Sequence, residues 1–331
     1  MRTMRLHEHN SIEEKPLQPD RIEQPSVGDN NLLIKVNACG ICHTDLHTVE
    51  GDITPPRLPI IPGHQVVGEV VQIGPEVSSW EEGDRIGIPW LYSADGTCEY
   101  CERGQENLCP NALFTGFDRD GGYAEYMLAD PRYALKIPAS IDDINAAPLL
   151  CAGIIGYRSL RLADLEEGER LGLIGFGASA HLAIQVALYW GCEVYVFTRS
   201  EEHRQLALEL GAHWVGGAED EQPEKLDRAI IFAPAGNLVP LILAKLRPAG
   251  TLAINAIYMS PIPEMAYEVI YEERTLRSVT NLTHKDGVEF LKLAEQIPVR
   301  SEITTYSLEE ANQALLDLKN SKINGAGVLE I

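Results

Sequence analysis

The sequence predicts an α/β protein of two domains, one rich in short strands and one built on a doubly wound parallel sheet. Three observations carry that expectation: a change of rhythm along the chain, a glycine-rich turn between a strand and a helix, and the length. At roughly 150 residues per domain, 331 residues allow two domains with sizeable cores.

Up to about residue 150, apolar runs are short and broken by Gly and Pro. Leu32–Val36, Val66–Ile73 and Arg85–Ile88 are examples, with Pro55–Pro62 between the first two. That rhythm reads as short, mostly antiparallel strands. From Leu171 the pattern lengthens: a strand over Leu171–Ile174, a helix over Ser179–Trp190, a strand over Cys192–Phe197 and a helix over Glu201–Leu210 closing at Gly211. Strands over Arg228–Phe232 and Leu252–Asn255 follow, with a helix over Leu238–Leu246 between them. A βαβ series of this kind implies a parallel sheet covered by helices. The chain ends with helices over Gly287–Gln296 and Leu308–Asn320 and a strand over Gly327–Ile331. There is no internal repeat and no low-complexity tract.

Hydrophobic and charged contents of 45% and 23% are those of a folded protein, so global disorder is excluded. Against 49 acidic residues stand 27 Lys and Arg, a formal net charge of −22. Such a chain has no general attraction for nucleic acid or anionic lipid, and an anionic ligand needs a local positive site. No apolar run approaches a membrane span of about 18 residues. Met1–Asn10 alternates charged and apolar residues without the apolar stretch of a secretory signal. The expectation is a cytoplasmic, reducing location. The seven cysteines, at 39, 42, 98, 101, 109, 151 and 192, then read as thiols or metal ligands rather than disulfides.

Gly175-Phe-Gly177-Ala178-Ser-Ala180 follows a predicted strand and opens a helix. Gly175 permits a tight turn, Gly177 lets backbone approach a pyrophosphate, and Ala180 still allows close helix–strand packing. The unpaired N–H groups of the helix N-terminus would hold the phosphates. Some 20 residues on, where Asp or Glu usually meets the ribose of NAD, stand Thr198, Arg199 and Ser200. A guanidinium and two hydroxyls suit a 2′-phosphate, so NADP(H) is favoured over NAD(H). The alternative leaves Arg199 solvated or stacked on adenine, with Glu201 or Glu202 on the ribose. His181, just past the loop, reads as a helix residue that at most grazes the cofactor.

Cys39-Gly-Ile-Cys42-His43 admits three readings: a haem-attachment motif, a redox pair, or a source of one metal ligand. Haem attachment wants an export signal, which is absent. A redox pair wants the start of a helix in a thioredoxin-like unit, whereas this motif lies among short strands. The third reading joins Cys42 to His64 and Cys151, two thiolates and an imidazole with a fourth position open, which is the ligand set of a catalytic Zn²⁺. Cys39 and Cys192 read as small buried thiols. His7, His9, His203, His213 and His284 fall outside any ligand spacing and read as surface or helix-end residues.

Cys42-His-Thr-Asp-Leu-His47, Pro62-Gly-His64-Gln-Val-Val-Gly68, Leu149-Leu-Cys151-Ala-Gly153 and Gly175–Ala180 together resemble the zinc-dependent alcohol dehydrogenases of the medium-chain dehydrogenase/reductase superfamily. The match runs in order along nearly the whole chain. It implies a GroES-like β-rich catalytic domain over 1–151, a Rossmann domain over 152–281 and a return to the first domain over 282–331. It also implies a second zinc on a lobe that here reads Asp95, Cys98, Cys101 and Cys109, for two zinc ions per chain. Relatives usually have cysteine at the first of these positions. Aspartate keeps the formal charge but is a harder ligand, and the alternative is a looser lobe with Asp95 facing water.

The resemblance implies reversible hydride transfer between a small alcohol and NAD(P)⁺, giving an aldehyde or ketone, with zinc as Lewis acid. By the same resemblance Thr44 takes the alcohol proton and passes it through the cofactor ribose to His47. The bland readings are a turn hydroxyl for Thr44 and a surface residue for His47. Asp45 is expected to hold the second ring nitrogen of His64, the alternative being a local turn cap. His43 occupies a position where relatives place a cation near the pyrophosphate. Gln65 stands where many relatives have Glu, and Ile155 where a small hydroxyl residue often faces the nicotinamide. Ile53, Trp90 and Leu91 are expected to line an apolar substrate pocket suited to aliphatic or aromatic alcohols rather than sugars. Relatives are usually dimers or tetramers, so the resemblance implies a homodimer or homotetramer here.

Two rivals stand beside this reading. One is an NADPH-dependent aldehyde reductase of the cinnamyl-alcohol-dehydrogenase type, supported by the Arg199 segment. The other is a non-catalytic nucleotide-binding or redox-sensing protein that uses Cys39 and Cys42 as a switch.

Overall fold

The computed structural model describes residues 1–297 and 299–331. Two compact units emerge: residues 1–154 with 281–296 and 300–331, and residues 155–280 with 297 and 299. No helix among the described residues is long and apolar enough to cross a membrane.

The first unit opens with an antiparallel pair, β1 (Arg2–Leu6) and β2 (Leu17–Arg21). Then come β3 (Leu32–Gly40), α1 (His43–Glu50), β4 (Gln65–Ile73), β5 (Arg85–Ile88) and β6 (Leu91–Ser93). A short helix α2 (Glu99–Glu102) precedes β7 (Leu113–Phe114), β8 (Tyr126–Ala129), β9 (Leu135–Lys136) and α3 (Asp143–Ala146). β3 and β4 pair antiparallel over most of their length, and nearly every side chain of β3 is buried. Gly68 permits their close approach, since a Cβ there would stand 2.2 Å from the Lys35 carbonyl oxygen. Ile34, Val36, Val66, Val70 and Ile86 lie in the core of this unit.

After α4 (Ala152–Leu162), the second unit follows the βαβ pattern. Its elements are β10 (Arg170–Ile174), α5 (Ala178–Tyr189), β11 (Glu193–Phe197), α6 (Glu201–Glu209), β12 (Trp214–Gly216), β13 (Leu226–Ile231), α7 (Leu238–Leu243), β14 (Leu246–Ile254), α8 (Glu268–Tyr271) and β15 (Thr275–Ser278). All pairings in this sheet are parallel, in the order β12-β11-β10-β13-β14-β15. The order reverses direction at β10, whose neighbours are β11 and β13. Loops at the C-terminal ends of such strands form the crevice that receives nucleotides. Gly175 sits there at φ +87°, and a Cβ on it would stand 3.0 Å from the backbone nitrogen of Ala233.

The chain returns to the first unit with α9 (His284–Gln296), β16 (Ile303–Ser307), α10 (Ala311–Lys319) and β17 (Ala326–Glu330). There the sheet order is β16-β17-β3-β4-β5-β9, with β8 also on β3.

Several sequence expectations shift. The helix expected over Leu238–Leu246 stops at Leu243 because β14 starts at Leu246, earlier than the strand expected over Leu252–Asn255. The helix expected over Leu308–Asn320 divides into a 3₁₀ turn, Leu308–Glu310, and α10. The Cys39–Cys42 motif does not lie wholly among strands: Cys39 is in β3, fully buried, while Cys42 caps α1. His181 is a helix residue as expected, inside α5. It is 1% exposed, and neither ring nitrogen has a hydrogen-bond partner.

An imidazole so enclosed is held neutral. Burial pushes its pKa down from the ordinary 6.5 to about 4. Between those values the unfolded chain takes a proton that the folded chain refuses, so this contribution to stability is present above pH 6.5 and is lost as pH falls toward 4. Replacing His181 with Leu should therefore flatten the pH dependence of unfolding. Between pH 7.5 and pH 5 the variant should lose about 2 kcal/mol less stability than the parent in urea titrations, and parallel curves would refute this.

Candidate functional site

The chain leaves β3 at Gly40 and enters α1 through Cys42, which has the extended backbone of an N-cap (φ −140°, ψ 158°). Asp45, three residues later, closes the cap: its Oδ2 accepts the Cys42 N–H at 2.9 Å. Its other oxygen, Oδ1, accepts the Gly63 N–H at 3.1 Å and lies 2.9 Å from His64 Nδ1. The carboxylate is 2% exposed and His64 is fully buried. Because an ionised carboxylate only accepts, Nδ1 carries the hydrogen, and Nε2 is left without any hydrogen-bond partner.

A ring nitrogen of His64 and the sulfurs of Cys42 and Cys151 lie within 4.8 Å of one another, and Nε2 is the one that Asp45 leaves available. Cys151 is delivered by the 3₁₀ turn Ala147–Leu150, so three distant stretches of chain meet at one point. A thiol contact from Cys151, opposed by burial and aided by His64, holds the Cys42 thiol well below its usual range. Burial disfavours charge on His64, but Asp45 and Cys42 outweigh it and push the imidazole up to about 10. The group is thus built to hold a cation. Two thiols and one unpartnered imidazole nitrogen, with Asp45 fixing the ring, fit a Zn²⁺ with an open fourth position.

Around this cluster, Thr44 Oγ1 lies 3.8 Å from Cys42 Sγ. His47 follows one turn later on α1 and is partly exposed. His43 is exposed, its ring 6.4 Å from that of His47. The Trp90 ring stands edge-on to His64 at 4.9 Å and stacks on Phe114 at 5.0 Å, with Phe117 at 6.0 Å. Phe114 and Phe117 were not singled out from sequence, although the Phe-Thr-Gly-Phe spacing just after the cysteine lobe was visible. Leu91 is fully buried in β6. Ile53 is half-buried, with its N–H on the His47 carbonyl. Gln65 is buried beneath Gly40 and brings no charge beside the ligands. Ile155 is half-buried in the second unit, its carbonyl accepting the Ser159 hydroxyl.

The lobe also converges. One oxygen of Asp95 and the sulfurs of Cys98, Cys101 and Cys109 lie within 4.8 Å of one another. Asp95 Oδ1 accepts the N–H groups of Thr97 and Cys98, and Oδ2 accepts from Asn111 Nδ2 at 2.9 Å. Those bonds hold the carboxylate well below its ordinary range, Asn111 most of all. The Cys101 thiol is pushed up to about 12, first by burial, against the Gly96 N–H, and then by Cys98, Cys109 and Asp95. Four acidic groups converge on one point without a cationic side chain among them, which is the donor set of a metal site.

In the second unit, Gly177 caps α5 without any side-chain hydrogen bond. A Cβ on Gly177 would meet nothing within 4 Å, so open space lies beside the residue that caps the helix ahead of Ala178. Ala180 is fully buried. At the end of β11, Thr198 is buried and Arg199 exposed, while Ser200 caps α6 by accepting the His203 N–H at 3.3 Å. Arg204, missed from sequence, donates from Nε to the Thr198 carbonyl at 3.1 Å. Its position four residues after the Ser200 cap was the available signal.

Comparison with known proteins bears on this arrangement. Residues 28–139 match the family model of the alcohol dehydrogenase GroES-like domain, and residues 180–296 that of the zinc-binding dehydrogenases. The chain is 46% identical over 322 residues to a probable alcohol dehydrogenase, AdhA, of Mycobacterium tuberculosis, covering 96% of this chain and 93% of the relative. It superposes on a cinnamyl alcohol dehydrogenase of Sorghum bicolor with a TM-score of 0.91 at 28% identity, covering 99% and 97% of the two chains. A Helicobacter pylori cinnamyl alcohol dehydrogenase complexed with NADP(H) superposes with a TM-score of 0.88 at 25% identity, covering 100% and 99%. The β-rich first unit is therefore GroES-like, the parallel-sheet unit is Rossmann-like, and the chain belongs to the zinc-type medium-chain alcohol dehydrogenases.

Proposed function

We propose that the chain interconverts small apolar alcohols with their aldehydes or ketones, using Zn²⁺ at Cys42, His64 and Cys151 and NADP(H) in preference to NAD(H). The observation that carries this reading is the fully buried, unpartnered Nε2 of His64 facing two thiols. Bound Zn²⁺ supplies Lewis-acid polarisation of the alcohol or carbonyl oxygen. Asp45 keeps the His64 ring in one tautomer and orientation. The Thr44 hydroxyl, beside Cys42, takes the alcohol proton, and His47, one turn on and partly exposed, is where it leaves for solvent. Trp90, Phe114 and Phe117 give an apolar aromatic wall next to His64, which favours aliphatic or aromatic substrates over sugars.

In this reading residues 1–151 and 282–331 perform the chemistry and residues 152–281 hold the dinucleotide. The pyrophosphate rests on the N-terminus of α5 behind Gly177. Arg199, with Ser200 and Arg204 beside it, supplies the positive charge that a 2′-phosphate needs in a chain of net charge −22. A reducing, cytoplasmic setting keeps the cysteines as thiols. The same cationic segment supports a second reading, NADPH-driven aldehyde reduction, in line with the NADP(H) complex of the Helicobacter pylori relative.

Metal analysis tests the site assignments directly. The purified chain should hold about two zinc ions, falling to about one in Asp95→Ala, with Asp95→Cys keeping both. No zinc at all would refute the mechanism, and unchanged content in Asp95→Ala would remove Asp95 from the ligand set.

Cofactor preference has its own check. Arg199→Asp should raise KM for NADP⁺ by more than about tenfold while moving that for NAD⁺ by less than about threefold. Equal effects on the two, or a parent enzyme that prefers NAD⁺, would sink the assignment of Arg199.

A further inference from the structure

The turn that ends α1 places a carboxylate on the residue where the proton leaves. Gly51, at φ +84°, stops the helix, and the Ile53 N–H returns to the His47 carbonyl at 3.3 Å. Between them, Asp52 is folded back so that its Oδ2 lies 2.8 Å from His47 Nδ1. Asp52 is 61% exposed at its side chain and His47 is 23% exposed, so the pair bridges a shielded ring and open solvent. The other titratable groups of this helix and its neighbours are engaged elsewhere. His9 is on the Thr48 carbonyl, Glu50 pairs with Lys319, Glu13 meets the same lysine, and Asp45 serves His64; the His43 ring lies 6.4 Å from that of His47.

We propose that Asp52 is a positioning residue for proton release: it fixes the tautomer of His47 and stabilises the ring while it carries the proton. This rests on the assignment of His47 as the proton's exit. An ionised carboxylate cannot donate, so the short contact requires hydrogen on Nδ1. Neutral His47 then has its lone pair on Nε2, the nitrogen that must act as base. When the alcohol proton reaches it, an N–H bond forms at Nε2 while the Nδ1–H is retained. The resulting imidazolium faces the Asp52 carboxylate. Transfer of the Nε2 proton to a water or buffer base then restores the starting ring with Asp52 unprotonated throughout. Without Asp52 nothing on α1 selects between tautomers, and the one with hydrogen on Nε2 cannot accept the proton.

The same arrangement occurs at the metal cluster, where Asp45 holds Nδ1 of His64 and leaves Nε2 to bind. Two histidines of the first unit are thus oriented by aspartates, one buried toward the metal cluster and one partly exposed to solvent.

The test compares Asp52→Asn, Asp52→Ala and His47→Gln as zinc-loaded enzymes, with zinc content measured for each. Both Asp52 variants should lose about tenfold in kcat for alcohol oxidation near pH 7, with KM held within about twofold. Nitrogen-15 NMR of the histidine rings should report Nδ1–H for His47 in the parent and a shift toward Nε2–H in Asp52→Ala. A slow His47→Gln beside a full-speed Asp52→Ala with an unchanged tautomer overturns the role of Asp52 alone. A full-speed His47→Gln overturns the proton-exit reading beneath it. In a double variant, Asp52→Ala should cost nothing further once His47 is Gln.

Discussion

The Asp45 carboxylate is the contact on which the catalytic cluster depends. Buried to 2% exposure, it accepts from the Cys42 N–H, the Gly63 N–H and His64 Nδ1. With those three bonds it starts α1, fixes the loop before β4 and aims one imidazole nitrogen at two sulfurs. A buried donor left unpaired costs about 1–3 kcal/mol, so the loss of this one side chain would strain three places at once. The surrounding packing makes such exactness possible. Gly63, at φ +98°, leaves room where a Cβ would strike the Tyr123 ring and the Cys39 sulfur. Cys39, the companion of Cys42 in the short motif, is therefore a packing thiol: fully buried, its pKa raised well above the ordinary range by that burial. A switch between Cys39 and Cys42 finds no support in this environment, since a reactive thiol is exposed and readily ionised.

Charge sets the second constraint. With a net charge of −22, the molecule repels the dinucleotide phosphates it is proposed to hold. Attraction then falls to local groups: the unpaired N–H groups where α5 begins and the guanidinium groups of Arg199 and Arg204 where α6 begins. Sheet order places both helix starts after adjacent strands, β10 and β11, at the same end of the sheet. The βαβ topology thus gathers the available positive potential on one edge.

Short-range signals were legible in the sequence. The glycine loop between a strand and a helix and the cysteine spacing of the lobe each lie within a few residues of chain. What failed was of another kind. The end of α7 against β14 depends on which strand pairs with β13, and periodicity over Leu238–Leu246 does not contain that information. The pairing of Asp52 with His47 went unnoticed because it arises from the left-handed Gly51 that folds the chain back.

The sequence by itself determined the chemistry on offer: which thiols, imidazoles and carboxylates exist, and the local turns that suit them to metal and phosphate. Tertiary structure alone decided which of them meet. Cys42, His64 and Cys151 are separated by long stretches of chain, and only the packing of the first unit brings their ligand atoms within 4.8 Å. It also decided their state, because burial and neighbouring charge, rather than residue type, leave His64 Nε2 unpartnered, His181 neutral and Cys39 inert. The physical reason is that solvent exclusion and charge proximity are properties of the folded environment, which residue identity does not encode locally.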